Sequence, residues 1–133
     1  MKTPLLFDTN IVSYLYKNDS RAIPYLPQFA HKDPCLSFMT LAELYLWPVR
    51  RNWSEANRAA FESWLHAHFT IILFDAALAR SWAVLVGKTC RTRPISMADS
   101  WIAATAIHHG LPLVTHNRRH FEAIPGLQLI SQA

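Results

Sequence analysis

The sequence predicts an α/β protein, a single domain over 1–133 with one parallel β-sheet of four to five strands flanked by helices. Three observations predict it. Short runs rich in β-branched and aromatic residues alternate along the chain with stretches of helical spacing. Several of those runs pass directly into a residue that starts helices, as strand-to-helix units do. No repeat, linker or low-complexity tract divides the chain.

The first strand is Leu5-Leu6-Phe7, a continuous apolar run of the kind that a buried strand shows. Asp8 then stands at its C-terminal tip, and Thr9 or Asn10 opens a helix through Lys17. Ser20 is expected to cap a short helix to Phe29, made irregular by Pro24 and Pro27. Cys35-Leu36-Ser37-Phe38 reads as a strand, and Thr40 as the start of a helix to Arg51. A further helix runs from Ser54 to His66. Thr70-Ile71-Ile72-Leu73-Phe74 is the strongest strand signal. Asp75 is expected to cap a helix that Gly87 ends, followed by a basic loop over 88–94. Ser96 starts a helix to His109, which Gly110 and Pro112 stop. The strand Leu113-Val114-Thr115, a polar turn over 116–120 and a last strand over 127–130 complete the chain.

Composition narrows the function. At 51% hydrophobic with three glycines, the chain reads as globular. Thirteen Lys and Arg against nine Asp and Glu, with a pI near 9.4, lean toward a polyanionic partner. Two cysteines without paired spacing fit a reduced setting, here taken as cytoplasmic. Asp8 interrupts the first apolar run too early for a signal peptide, and no apolar stretch approaches the roughly 18 residues that span a bilayer, so no membrane partner is expected. The glycines form no cluster for a phosphate-binding loop, and no HExxH motif or cysteine pair supports zinc among the seven histidines.

Three acids stand out. Asp8 lies at a strand tip, where open α/β sheets place their ligands, although Asp is also a leading helix cap. Thr40-Leu41-Ala42-Glu43 and Ser96-Met97-Ala98-Asp99 both fit a capping box. Their flanks argue for more than capping. Met39 and Trp47 lie four residues either side of Glu43, Ile95 and Ala103 either side of Asp99, and neither acid has a cationic neighbour at helical spacing. A buried unpaired carboxylate is costly. Three converging at one sheet edge repel, by roughly 1 to 4 kcal/mol for a pair about 4 Å apart. A divalent cation reverses that sign, and hard oxygen ligands suit Mg²⁺, with Mn²⁺ able to substitute. Such a centre beside a basic surface is equipped for phosphodiester hydrolysis. Asp8 and Asp99 are then direct ligands. Glu43 is a further ligand, directly or through water, or the group that orients the attacking water.

Phe7-Asp8-Thr9-Asn10, Thr40-Leu41-Ala42-Glu43-Leu44, the run from Ala98 to Ala106, and Leu113-Val114-Thr115-His116-Asn117 resemble the signature blocks of PIN-domain proteins, and most of all VapC-type toxins of toxin–antitoxin pairs. The resemblance runs in order from Leu5 to about Ile130. It implies a parallel sheet flanked by helices, a homodimer, Mg²⁺-dependent endoribonuclease activity, and inhibition by a small antitoxin whose C-terminal segment lies across the active-site groove. Asp8, Glu43 and Asp99 match the family's acidic cluster. Asn117 matches a catalytic position where many relatives carry a fourth acid, and with a neutral residue there one Mg²⁺ is expected, joined by a second only with RNA bound. Thr9, Asn10 and Thr115 are expected to support the acids through hydrogen bonds. Arg118, Arg119, Arg91 and Arg93 are candidate RNA contacts, with His116 and His120 beside them. The alternative is a PIN-like RNA- or protein-binding module without activity. Among the five tryptophans, Trp64, Trp82 and Trp101 read as core, and Trp47 and Trp53 as candidates for a partner surface.

Overall fold

The computed structural model describes residues 2–89 and 94–133. Five strands, β1 (Thr3–Phe7), β2 (Lys32–Ser37), β3 (Thr70–Ile72), β4 (Leu113–Val114) and β5 (Leu129–Ile130), form one sheet in the order β3-β2-β1-β4-β5. Every pairing is parallel, so β1 lies central with Leu6 level with Cys35 on one side and Leu113 on the other. Helices α1 (Thr9–Tyr16), α2 (Phe38–Arg50), α3 (Glu55–His68), α4 (Ala76–Thr89), α5 (Met97–His109) and α6 (Arg118–Phe121) supply the connections, with a 3-10 helix at Ser20–Gln28.

Successive side chains of a strand point to opposite faces, and β1 divides accordingly. Leu5 and Phe7 enter a core with Ile11 and Val12 of α1, Leu44 of α2, and Phe61 and Leu65 of α3. Leu6 points the other way, into a core with Leu78 and Leu85 of α4 and Ile102, Ala103 and Ala106 of α5. Burial on both faces is why β1 reads as an unbroken apolar run. Each such large side chain contributes about 1.5 to 3 kcal/mol when fully buried. Trp64 packs against the first core, and Trp82 and Trp101 stack at 4.6 Å beside the second. Trp47 and Trp53, both half-buried, contact one another and Phe61 at the edge of the first core.

Several boundaries differ from expectation. Asp19, not Ser20, caps the 3-10 helix by accepting from the Arg21 amide. Strand β2 starts earlier and includes Pro34, which is tolerated because only β1 pairs there and β3 joins from Cys35 onward. Helix α2 begins at Phe38, capped by Ser37, whose Oγ accepts from the Thr40 amide at 3.0 Å. Leu73 and Phe74 leave the sheet, Leu73 being 75% exposed. Asp75 does cap α4, accepting from the Leu78 amide, but the helix passes through Gly87 to Thr89. The turn after β4 folds into the short helix α6, and β5 is confined to two residues. Gly110, at φ 66°, terminates α5 in the left-handed conformation as expected of a glycine there.

Candidate active site

Parallel connectivity brings the C-terminal ends of all five strands to one edge, and the start of α1, the start of α2 and the start of α5 stand there. Asp8 follows β1 and is 4% exposed. Its amide donates to the Val114 carbonyl, which continues the ladder with β4 and fixes the residue's position. Its carboxylate accepts from the Thr9 amide at 2.8 Å through Oδ1 and from the Thr115 hydroxyl at 2.7 Å through Oδ2. The capping role that the sequence offers for Asp8 is thus filled through Oδ1, while Oδ2 is engaged by Thr115.

Glu43 lies on α2 six residues beyond the Ser37 cap. It does not close a capping box with Thr40. Its Oε1 accepts from the Thr9 hydroxyl at 2.6 Å, while Thr9 and Thr40 hydroxyls lie 3.5 Å apart. Asp99 forms half of its box: its amide donates to Ser96 Oγ at 3.1 Å, but its carboxylate turns to His120, whose Nδ1 is 3.1 Å from Oδ2. Thr9 and Thr115 therefore support the acids as expected. Asn10 does not; among the described residues its side chain bonds none of the three. Asn117 reaches the site through its backbone, the amide donating to Thr115 Oγ1 at 3.0 Å.

Electrostatics ties the three acids together. The Asp8 carboxyl is pushed up from 3.8 to about 6, first by burial and further by the charges of Asp99 and Glu43; the hydrogen bonds from Thr115 and Thr9 work the other way. Among the described residues no Lys or Arg pairs with any of the three. The donor set is all carboxylate oxygen with two oxygens, Glu43 Oε2 and Asp99 Oδ1, receiving no protein hydrogen bond among the described residues. That chemistry fits a hard divalent cation. The side chains are not yet closed around one: no three His, Cys, Asp or Glu among the described residues stand together tightly enough to enclose an ion. Thr9 anchors Glu43 and His120 anchors Asp99, each through one carboxylate oxygen.

Beside the acids, His116, Asn117, Arg118, Arg119, His120 and Glu122 line an open cavity of about 440 Å³. Arg118 spends part of its charge on Glu122 at 3.6 Å. His116 is held from behind, its Nδ1 2.8 Å from the hydroxyl of the fully buried Tyr25 and its ring edge-on to Tyr14. The sequence pointed to neither Tyr25 nor the Asp99–His120 contact, since both link residues far apart in the chain or across an irregular turn. Arg91 and Arg93 lie outside the described residues. Of the other histidines, His66 contacts Tyr45 and His68 contacts Trp64. No helix among the described residues is long and apolar enough to cross a membrane.

The PIN domain family model matches residues 5–127. The tRNA(fMet)-specific endonuclease VapC of Shigella flexneri is 30% identical over 92% of this chain and 93% of its own length. Ribonuclease VapC2 of Haemophilus influenzae is 32% identical, with the same shares covered. Among solved structures, a toxin–antitoxin complex from Klebsiella pneumoniae contains a chain that is 26% identical and superposes with a TM-score of 0.71, covering 95% of each chain.

Proposed function

Because the chain belongs to the PIN-domain family, we propose that it is a metal-dependent endoribonuclease, the toxin of a toxin–antitoxin pair, with Asp8, Glu43 and Asp99 as its catalytic centre and Mg²⁺ as its metal. One observation carries the site: the carboxyl of Asp8, made harder to ionise first by its burial and further by the charges of Asp99 and Glu43, with no Lys or Arg among the described residues paired to any of the three. A pure binding module gains nothing from such repulsion.

Asp8 and Asp99 hold the cation, and a bound divalent ion supplies charge neutralisation at the phosphoryl oxygens and an activated water. The Thr115 and Thr9 hydrogen bonds keep Asp8 oriented while each of its oxygens retains lone-pair capacity. Thr9 also anchors Glu43 by Oε1, which leaves Oε2 as the acceptor that orients a water or completes the ligand set. Asn117 stands where a fourth acid would add charge, and its neutrality favours one Mg²⁺, with a second arriving only with RNA. Arg119, with Arg118 and the two arginines at 91 and 93, is assigned to RNA phosphates, so affinity should fall with salt. Named ribonucleases among the relatives support RNA as substrate, and the solved complex supports a small antitoxin as partner. A homodimer and a cytoplasmic location complete the reading.

Purified protein is expected to cleave single-stranded RNA with Mg²⁺ or Mn²⁺ and to stop with EDTA. Asp8→Ala or Asp99→Asn should lower the rate by at least about 100-fold, as loss of one group stabilising developing charge does elsewhere, with the fold intact by circular dichroism. Cleavage that survives both substitutions rejects the assignment. Folded wild type that binds RNA but never cleaves it favours the inactive module.

A further inference from the structure

We infer that His120 is a positioning residue for the metal, holding Asp99 in the orientation that a divalent cation requires; this rests on the reading of the acids given above. A carboxylate offers only acceptors, so the hydrogen between Asp99 Oδ2 and His120 Nδ1 belongs to the imidazole, whether the ring is neutral or charged. The contact engages Oδ2 and leaves Oδ1 for an ion. This is the arrangement by which outer hydrogen bonds orient metal ligands in general, and losing one costs roughly 10- to 100-fold in metal affinity.

The fold explains why His120 is there. Phe121, next in sequence, is fully buried in the core that α5 shares with α4, and it pins α6 against α5. Across the same turn Arg118 pairs with Glu122 at 3.6 Å, which bridges the helix from one end to the other. Asp99 is fixed from its own side by the Ser96 cap and by its place in the first turn of α5. Among the described residues, His120 is the one basic side chain within ion-pair distance of Asp8, Glu43 or Asp99. The imidazole itself is 56% exposed, so its packing contributes little and its contact with Asp99 is the feature to explain.

The test is Mn²⁺ binding without RNA, by calorimetry or by the spin resonance of the free ion, at about pH 8, above the ordinary imidazole range. His120→Ala should weaken Mn²⁺ by roughly 10-fold. His120→Asn, whose amide N–H can stand where Nδ1–H does, should recover affinity to within about threefold of wild type. The melting temperature of the metal-free protein should be unchanged in both. Wild-type Mn²⁺ affinity in His120→Ala overturns the inference, as does an Asn variant as weak as the Ala variant. A loss of RNA affinity with Mn²⁺ binding intact also overturns it and makes His120 an RNA contact. Failure of the underlying reading is distinct: wild type itself would then bind no Mn²⁺, or Asp99→Asn would bind it as wild type does.

Discussion

Asp8 is the residue at which folding and the proposed function oppose each other. Its pKa rises from 3.8 unfolded to about 6 folded, so the folded chain holds this proton more tightly than the unfolded chain does. The sign follows: protonation of Asp8 favours folding fully below about pH 3.8, and that contribution is lost as pH rises through about 6. At neutral pH the ionised carboxylate destabilises the metal-free protein by roughly 3 kcal/mol at most. On the proposed reading a bound cation would remove the penalty and would compete with the proton. Two outcomes are expected in thermal melts. The gain in Tm on adding Mg²⁺ should grow between pH 5 and pH 7. Asp8→Asn, which keeps the shape and removes the charge, should melt higher than metal-free wild type at pH 7.5 and gain far less from Mg²⁺. A wild-type Mg²⁺ effect independent of pH would detach Asp8 from the metal.

At the scale of elements, the caps decide where the acids sit. The Ser96 cap holds the first turn of α5, and with it Asp99. Ser96→Ala should cost about 1 kcal/mol in urea unfolding, and the cleavage it loses at low Mg²⁺ should return at high Mg²⁺; a variant as stable as wild type would show that the cap is idle. How much was legible in the sequence also depends on caps. The strand-to-helix order, the Asp75 and Ser96 caps and the glycine end of α5 were readable, because each uses a residue type with a specific backbone role. Ser37 was missed because Phe38 and its neighbours look like strand, which hid a cap behind β-forming residues. Thr40 and Glu43 imitate a capping box, yet tertiary contact with Thr9 takes the glutamate elsewhere. Gly87 looks like a stop, but an exposed glycine in an otherwise well-packed helix costs only about 1 kcal/mol and does not end it. The leaning of Asp99 on His120 depends on how α6 docks, which no local pattern encodes.

For the whole molecule, the central β1 matters most. Its two faces serve two separate cores, and its tip carries Asp8 between α2 and α5, the helices that bring the other two acids. Parallel order sends Asp8 and Glu43 to one edge from the ends of β1 and β2, while Asp99 arrives there on α5, which follows α4 and leads into β4. What the order does not provide is the orientation of each carboxylate, which Thr9 sets for Glu43 and His120 for Asp99. The most direct test is anomalous diffraction from crystals soaked in Mn²⁺ near pH 8. A single strong peak bonded to Asp8 and Asp99, with Glu43 bonded directly or through one water, is the predicted result. A peak elsewhere, or none at a concentration that supports cleavage, would contradict it.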